Sequence, residues 1–222
     1  MGTDRSYGKY MDHTVLKLDT SRETLKRFCD EAKEYGFAAV CVHGANVPFV
    51  VEQLRGSGVK TAAVAGFPFG ANTTATKVFE AKDAIANGAE EVDMVMNVGA
   101  LKEGRREDAE ADVKAVADAC HPAALLKVII ESSELSDDEI VAASQICMRA
   151  GADFVKTSTG FTGAATVHAV SLIKQTVGDT CKIKASTGIN NRKICDEMLD
   201  AGAERMGTSK GILIVEDREM PL

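Results

Sequence analysis

Two lysines close short apolar segments, and each is followed at once by a turn rich in serine, threonine and glycine. Lys156 ends the segment 153–156, and Lys184 ends the segment 181–184. Lysine is rarely buried in a protein core without a specific reason. If the two segments are neighbouring strands, the two ammonium groups lower each other's pKa, which is one way to make a lysine amine nucleophilic.

Lys156 is the candidate nucleophile, and the free energy needed to lower its pKa can be estimated. A lysine in water has a pKa of about 10.4, so at pH 7 roughly one side chain in a few thousand is neutral. Lowering that pKa to ~7 requires about 4.6 kcal/mol against the charged form. A second ammonium ~5 Å away supplies about 3 kcal/mol at an effective dielectric constant of about 20, and partial burial can supply the rest. The alternative is a structural cluster of buried ion pairs, which is costly and stabilises a fold poorly.

Short apolar segments alternate with longer amphipathic segments along the chain, a pattern typical of a parallel sheet covered by helices. Eight units in 222 residues average about 27 residues each, which favours an α/β fold with a closed (β/α)8 TIM barrel. Nothing in the composition divides residues 1–222 into more than one domain. Strands are predicted at residues 11–16, 38–42, 60–65, 91–96, 125–130, 154–156, 181–185 and 205–207.

The first predicted helix has a clear pattern and clear ends. Apolar residues recur at helical spacing from Leu25 to Ala32. Thr20 with Glu23 predicts a capping box at its start, and Gly36 predicts its end.

A weak internal repeat precedes predicted strands two, four, six and eight, with a glycine at positions 36, 88, 151 and 202. Alternate strands of a TIM barrel fill the same side-chain layers, so the fifth residue after each glycine should lie at one level. Glycine and alanine also recur at ordinary turns, which is the alternative explanation. The polar residues at matched positions favour a site at this level, formed by Cys41, Asp93, Lys156 and Gly207.

Active sites of TIM barrels lie at the C-terminal ends of the strands, and further charged residues are predicted there. Asp93 is expected to relay protons beside a reacting amine, or to serve only as a counter-ion. Lys127 is expected to point inward and pair with Asp93 or Asp12, which makes its role structural. Cys41 is interpreted as a packing residue, although a cysteine near the mouth of a site can be reactive. Strand alternation puts Lys182 on the face of Lys184, so one of the two must lie deeper or outside.

Three turns after predicted strands six, seven and eight have residues suited to an anion. Phosphate sites in TIM barrels lie in this region, because glycine lets backbone N–H groups approach the anion and hydroxyl groups add donors. A phosphorylated small-molecule substrate is therefore expected. The candidate phosphate-binding residues are Thr157, Gly160, Thr187, Gly188, Gly207 and Ser209.

Composition argues against several other classes of function. The net charge of -7 argues against binding to nucleic acid, since such proteins normally present a basic face. No apolar run approaches the ~20 residues of a membrane helix. Six scattered cysteines without a Cys-x-x-Cys motif are expected to be reduced core residues of a cytoplasmic protein. The four histidines lack metal-ligand spacing and no dinucleotide motif follows the first strand, so neither a metal nor another cofactor is expected.

The order of motifs resembles that of one family, the deoxyribose-phosphate aldolases, from the first predicted strand to the eighth. The segment around Lys156 is highly specific to that family, and the other motifs gain weight from their order. The matching motifs are Asp12-His13-Thr14, Val40-Cys41-Val42, Gly66-Phe67-Pro68, Glu91-Val92-Asp93-Met94-Val95, Leu126-Lys127-Val128-Ile129-Ile130-Glu131, Asp153-Phe154-Val155-Lys156-Thr157-Ser158-Thr159-Gly160 and Lys182-Ile183-Lys184-Ala185.

The resemblance implies a class I aldolase that needs no metal. It implies the reversible cleavage of 2-deoxy-D-ribose 5-phosphate to acetaldehyde and D-glyceraldehyde 3-phosphate, a step in nucleoside breakdown. It also implies that Lys156 forms the Schiff base, that Lys184 lowers its pKa, and that Asp93 relays protons.

The chain departs from the family in the predicted phosphate turns. Two glycines are usual where this chain has Thr187-Gly188, arginine is common where it has Asn190, and serine is common at the position of Lys210. The positions of the proposed catalytic residues keep the family pattern, so the departures predict altered phosphate affinity with catalysis intact.

Two other functions are compatible with these residues. One is another Schiff-base aldolase or a transaldolase that acts on a larger keto-sugar phosphate. The other is a catalytically silent barrel that binds a sugar phosphate. Barrels of this kind commonly self-associate, so a homo-oligomer is expected, with a dimer as the simplest form.

Overall fold

Within residues 6–218, which the computed structural model describes, eight apolar segments form a closed parallel barrel in chain order. The predicted TIM barrel is confirmed, and every predicted strand lies within two residues of its observed bounds. Residues 1–5 and 219–222 of the predicted domain lie outside the described residues. The strands are β1 Met11–Thr14, β2 Ala39–Val42, β3 Lys60–Ala65, β4 Glu91–Val95, β5 Leu125–Ile129, β6 Phe154–Lys156, β7 Lys182–Ser186 and β8 Arg205–Thr208.

Helices surround the barrel and cover the outward faces of the strands, which carry most of the apolar core. None of the helices in residues 6–218 combines the length and the apolar character that a membrane span requires. Short 3₁₀ helices occur at Tyr7–Tyr10, Gly44–Asn46 and Ser132–Glu134. The α-helices are α1 Arg22–Glu34, α2 Val47–Leu54, α3 Thr74–Ala86, α4 Val98–Lys102, α5 Arg106–Cys120, α6 Asp137–Ala150, α7 Val167–Val177, α8 Arg192–Asp200 and α9 Gly211–Glu216.

Helix α1 begins one residue later than the sequence predicts. Ser21 has the extended backbone conformation of an N-cap, and its hydroxyl accepts a hydrogen bond from the N–H of Thr24 at 3.1 Å. The hydroxyl of Thr20 instead donates to the carbonyl of Lys17 at 2.7 Å, so the predicted Thr20–Glu23 capping box is wrong. The predicted end is confirmed, because Gly36 follows the last turn with φ 62°.

The interior of the barrel is divided into an apolar part and a charged part. Ala39 and Cys41 of β2 pack with Ala62 and Val64 of β3 in a small apolar cluster. Strands β1, β4, β5, β6 and β7 place buried charged side chains in the same interior. These are Asp12, Glu91, Asp93, Lys127, Lys156 and Lys184. Charged groups in a barrel interior are costly to desolvate, so their presence indicates a site.

A second buried ion pair lies outside the barrel, behind β4. The Nζ of Lys77 on α3 lies 2.6 Å from the carboxylate of Asp112 on α5 and donates to the carbonyl of Val95 at 2.9 Å. The hydroxyl of Thr74 donates to the other oxygen of Asp112 at 2.8 Å. This pair joins two helices to the C-terminal end of the strand that carries Asp93.

Candidate active site

Asp93 is the centre of the charged interior and contacts three lysines from three strands. Its Oδ1 accepts a hydrogen bond from Lys127 of β5 at 2.9 Å. Its Oδ2 accepts from Lys156 of β6 at 2.7 Å and from Lys184 of β7 at 2.8 Å. The carboxylate and the three ammonium groups are almost fully buried. The predicted convergence of these side chains is therefore present in the structure.

Asp12 forms the second anionic centre. It accepts from Lys184, lies 3.6 Å from the Nζ of Lys127, and accepts from the guanidinium of Arg205 at 2.6 Å. Lys184 thus has two carboxylate partners, whereas the only carboxylate that contacts Lys156 in the described structure is Asp93.

Two charged residues of the cluster are absent from the sequence prediction. Glu91 accepts from Lys127, and both of its oxygens lie 3.3 Å from Nη1 of Arg205. The signal for Glu91 was present in the sequence, because it lies two residues before Asp93 and strand side chains alternate. The sequence contains no comparable indication for Arg205. It lies at the start of β8, two residues before Gly207, and a long charged side chain at a strand start is usually solvent-exposed.

Lys156 and Lys184 have opposite pKa shifts. Burial lowers the pKa of Lys156, and the neighbouring Lys184 ammonium lowers it further, so the shift is downward despite the contact with Asp93. Burial also disfavours the charged form of Lys184, but the carboxylates of Asp12 and Asp93 outweigh burial and raise its pKa. The structure therefore has one lysine whose pKa is lowered beside one whose pKa is raised.

The charged forms of Asp12, Asp93 and Lys127 are favoured by their neighbours. Burial alone would raise the pKa of Asp12 and of Asp93, but the surrounding cations lower both below the usual aspartate range. Burial alone would lower the pKa of Lys127, but Asp93, Asp12 and Glu91 raise it. Lys127 is predicted to pair with Asp93 or Asp12, and in the structure it contacts both.

Cys41 lies on β2 beside the cluster, with its sulfur 4.0 Å from Oδ2 of Asp93. Burial, followed by the charge of Asp93, raises the pKa of the thiol to about 11. A thiol at neutral pH is a poor nucleophile, which supports the interpretation of Cys41 as a packing residue.

Thr157 holds the turn after β6 to the last residue of β7, Ser186. Its hydroxyl accepts from the N–H of Ser186 at 3.0 Å and donates to the carbonyl of the same residue at 3.4 Å. Two other hydroxyl groups here, that of Ser158 in the turn and that of Ser186 at the end of β7, are buried without a hydrogen-bond partner among the described residues. Buried hydroxyl groups normally have a partner, so these two are candidates to contact a ligand.

Thr187 occupies a left-handed backbone conformation with φ 73°. This region is unfavourable for β-branched residues and costs about 1–3 kcal/mol. Gly160 and Gly188 flank it, with φ 95° and 82°. A Cβ atom on Gly160 would lie 3.0 Å from the hydroxyl of Thr187, so the turns after β6 and β7 approach closely at this point.

Gly207 leaves space for the side chain of Lys184. A Cβ atom at this position would lie 3.1 Å from Cε of Lys184 and would collide with the hydroxyl of Ser186. Ser209 and Lys210 follow on the exposed turn before α9.

Other candidate residues lie outside the charged cluster around Asp93. Lys182 is exposed at the start of β7, with its Nζ 5.8 Å from the centre of the Phe154 ring, so Lys184 is the lysine inside the barrel. His13 bonds to Glu31 at 2.6 Å through Nε2, outside the charged cluster. No group of three or more metal-ligating side chains occurs within residues 6–218.

Two cavities also lie apart from Lys156. A cavity of about 390 Å³ is lined by residues 121–125 and by Lys60, Glu90, Glu91 and Asp153, around the N-terminal ends of β3, β4 and β5. A second, of about 260 Å³, is lined by residues that include His43, Phe67 and Phe79. The site is therefore identified by its buried charges and not by these cavities.

Comparisons with known proteins give a consistent result. The DeoC/LacD family aldolases match residues 8–215, a range that includes all of the strands described above. The chain is 50% identical over 215 residues to the deoxyribose-phosphate aldolase of Staphylococcus haemolyticus, covering 96% of this chain and 97% of the relative. It is 50% identical over 216 residues to that of a Geobacillus species, covering 97% of each. A tetrameric deoxyribose phosphate aldolase from Aeropyrum pernix superposes with a TM-score of 0.88 at 28% identity, covering 95% of this chain and 89% of that one.

Proposed function

The chain belongs to the DeoC/LacD family of aldolases, and we propose that it cleaves 2-deoxy-D-ribose 5-phosphate reversibly to acetaldehyde and D-glyceraldehyde 3-phosphate. Relatives that are 50% identical over nearly the whole chain carry the name deoxyribose-phosphate aldolase. The observation that carries the mechanism is the contrast between Lys156, whose pKa is lowered, and Lys184, whose pKa is raised.

Lys156 is the residue that forms the covalent bond to substrate. Its neutral amine attacks the C1 aldehyde of the open-chain sugar to give a carbinolamine, which loses water to become a protonated imine. Asp93 is placed to move protons in this step, because its Oδ2 lies 2.7 Å from the nitrogen of Lys156. Lys184 keeps a positive charge beside that nitrogen and lowers its proton affinity.

The protonated imine is the electron sink for carbon–carbon cleavage. Removal of the proton from the C3 hydroxyl breaks the bond between C2 and C3, and the electron pair of that bond forms an enamine on Lys156. D-glyceraldehyde 3-phosphate leaves as the aldehyde. Protonation of the enamine at C2 and addition of water to the imine then release acetaldehyde and return the free amine.

The substrate phosphate is proposed to bind at the turns after β6, β7 and β8. Support comes from the positive φ angles of the glycines in the first two turns and from the unpartnered hydroxyl groups of Ser158 and Ser186. Thr157 contributes by holding the turn after β6 to the end of β7. The residues proposed to line the anion are Gly160, Thr187, Gly188 and Ser209 in the turns and Gly207 near the end of β8.

The whole chain of residues 1–222 is proposed to act as one aldolase domain in the cytoplasm and to self-associate, with a dimer as the simplest form. All six cysteines are buried and none forms a disulfide within the described residues, which supports a reducing compartment. Sedimentation velocity of the purified protein tests the assembly; a monomer at micromolar concentration contradicts it.

Borohydride trapping tests the proposed function. The protein is incubated with acetaldehyde or with 2-deoxyribose 5-phosphate, reduced with borohydride, digested and analysed by mass spectrometry. The expected result is a reduced adduct on Lys156 together with cleavage of the sugar phosphate before reduction. An adduct at another lysine contradicts the mechanism. An adduct on Lys156 without cleavage of this sugar phosphate favours a Schiff-base aldolase with a larger substrate.

A further inference from the structure

Glu91 and Arg205 form an ion pair at the N-terminal ends of β4 and β8, inside the barrel, and are here called the floor pair. Neither residue takes part in the reaction steps proposed above. Glu91 is almost fully buried, and the side chain of Arg205 is 14% exposed. Burying such a pair is costly, so its position under the reacting lysine calls for an explanation.

Each member of the floor pair contacts a different part of the catalytic cluster. Glu91 accepts from Lys127, which donates in turn to Oδ1 of Asp93 at 2.9 Å. Arg205 donates to Oδ1 of Asp12 at 2.6 Å, and the other oxygen of Asp12 accepts from Lys184. Both series of contacts lead to Asp93, the second through Lys184, which also donates to Asp93. Oδ2 of Asp93 lies 2.7 Å from the amine of Lys156.

The charges of the cluster balance when one of its four cations is neutral. Its anions are the three carboxylates of Asp12, Glu91 and Asp93. Its cations, when all are protonated, are the four groups of Lys127, Lys156, Lys184 and Arg205, so four minus three leaves one positive charge in excess. Lys156 has fewer carboxylate contacts than the other three, so its proton is the one that the cluster loses most easily.

We propose that Glu91 and Arg205 are positioning residues that determine at which pH Lys156 becomes a free amine. They hold Lys127 and Asp12 in place and contribute opposite charges to the balance of the cluster. The inference rests on the proposed function of Lys156 as the Schiff-base lysine. It adds two residues, at the opposite end of the barrel, whose charges control that lysine.

The sign of each contribution follows from Coulomb's law. A carboxylate at Glu91 favours the charged form of Lys156, and a guanidinium at Arg205 disfavours it. Neither replacement removes any of the other charged or titratable groups around Lys156, and no titratable side chain of β3 joins the described interior cluster. Those groups are Asp12 on β1, Cys41 on β2, Asp93 on β4, Lys127 on β5 and Lys184 on β7, with Glu131 in the turn after β5 bonded to Thr159.

Variants with opposite charge changes provide the test. Glu91→Gln removes an anion and Arg205→Gln removes a cation, and both keep most of the side-chain volume. The acid limb of kcat/KM for 2-deoxyribose 5-phosphate, which reports the free amine, is expected to move to lower pH in E91Q and to higher pH in R205Q. Each shift is expected to be roughly one pH unit. The double variant is expected to return close to the wild-type limb.

A second readout follows Lys156 without requiring cleavage of the sugar. The rate of reductive labelling of Lys156 by acetaldehyde and cyanoborohydride, measured against pH, is expected to shift in the same two directions. Arg205→Lys keeps the positive charge and is expected to keep the wild-type limb. Glu204→Gln removes a carboxylate from an exposed neighbour of Arg205 and is expected to shift nothing.

The inference is overturned if the acid limbs of the pH profiles coincide in all variants, or if they shift in the same direction in E91Q and R205Q. Loss of packing alone would not shift the two limbs in opposite directions. Thermal melts identify variants that fail to fold, and only folded variants are scored. If both single variants unfold, Glu91→Met and Arg205→Met, which remove the same charges with apolar side chains of similar length, take their place: labelling limbs that shift in opposite directions support the inference, and coinciding limbs overturn it. Wild-type protein that neither cleaves the sugar nor forms an adduct on Lys156 overturns the proposed function instead.

Discussion

Lys156 and Lys184 are paired residues on adjacent parallel strands, and both donate to one oxygen, Oδ2 of Asp93. What separates them is Asp12, which contacts Lys184 in the described structure. The extra carboxylate raises the pKa of Lys184, whereas burial and the Lys184 charge lower that of Lys156. Two identical side chains on neighbouring strands are thereby assigned different chemistry by one carboxylate.

Replacing Lys184 by methionine tests this division. The cation that disfavours the charged form of Lys156 is removed, so the pKa of Lys156 rises and less free amine remains at neutral pH. We expect kcat/KM at pH 7 to fall by about 100-fold, and the acid limb of the pH profile to move to higher pH. Steady-state kinetics across pH measures both.

Lys182→Met is the matched control, because it removes the same charge from the same strand at an exposed position. We expect it to keep the wild-type pH profile. A Lys184→Met enzyme with reduced kcat and an unshifted acid limb contradicts the electrostatic role and leaves a role in proton transfer or packing.

The barrel and the lysine site could be predicted because their signals are local in sequence. Apolar segments followed by glycine-containing turns identify the strands, and parity within a strand places Asp93 and Lys127 on inward faces. The same parity applied to Glu91 would have added it to the site. Glu91 stands at the start of β4, and the closed barrel brings it to Lys127.

Other features depend on contacts that sequence order does not contain. Nothing in the printed residues says that Asp12 contacts Lys184 and not Lys156, since that depends on how the barrel closes between β1 and β8. The predicted start of α1 was wrong by one residue, because Thr20 and Ser21 are both good N-caps and the backbone conformation decides between them.

Thr187→Gly is expected to relieve backbone strain. A glycine adopts the left-handed conformation observed at this position without steric cost, although it also gains freedom in the unfolded chain. We expect a net increase of about 1 kcal/mol in the free energy of unfolding, measured by urea denaturation. We also expect a lower KM for 2-deoxyribose 5-phosphate and an unchanged KM for unphosphorylated deoxyribose, because the backbone can approach the phosphate more closely.

Thr180→Gly serves as the comparison, since Thr180 lies in an exposed turn with no positive φ. The same change there is expected to lower stability slightly. Equal KM changes for the two sugars in Thr187→Gly argue against phosphate binding at this turn.

Stability in acid should depend on the buried aspartates. The cations lower the folded-state pKa values of Asp12 and Asp93 below their unfolded values of about 3.9. A lowered carboxylate pKa contributes stability that is fully present above the unfolded pKa and is lost as the pH falls through the folded pKa. We expect the free energy of unfolding to fall below about pH 5, by about 1–3 kcal/mol for each aspartate.

Asp12→Asn is expected to flatten this dependence, and the exposed Asp19→Asn to leave it unchanged. Urea unfolding between pH 7 and pH 3 measures the slopes. A steep acid loss that is the same in Asp12→Asn and in the wild type assigns the loss to other carboxylates.

Removing one charge of the Lys77–Asp112 ion pair should destabilise the fold more than removing both. Lys77→Met leaves the carboxylate of Asp112 almost fully buried without its cation, and only the hydroxyl of Thr74 remains as a donor among the contacts described above. We expect a loss of about 3–5 kcal/mol in the free energy of unfolding, measured by urea denaturation at pH 7. The double variant Lys77→Met/Asp112→Leu removes both charges and is expected to recover at least half of that loss, because two apolar side chains can replace a buried pair. If the double variant is no more stable than Lys77→Met, the hydrogen bond from Lys77 to the carbonyl of Val95 carries the stabilisation instead.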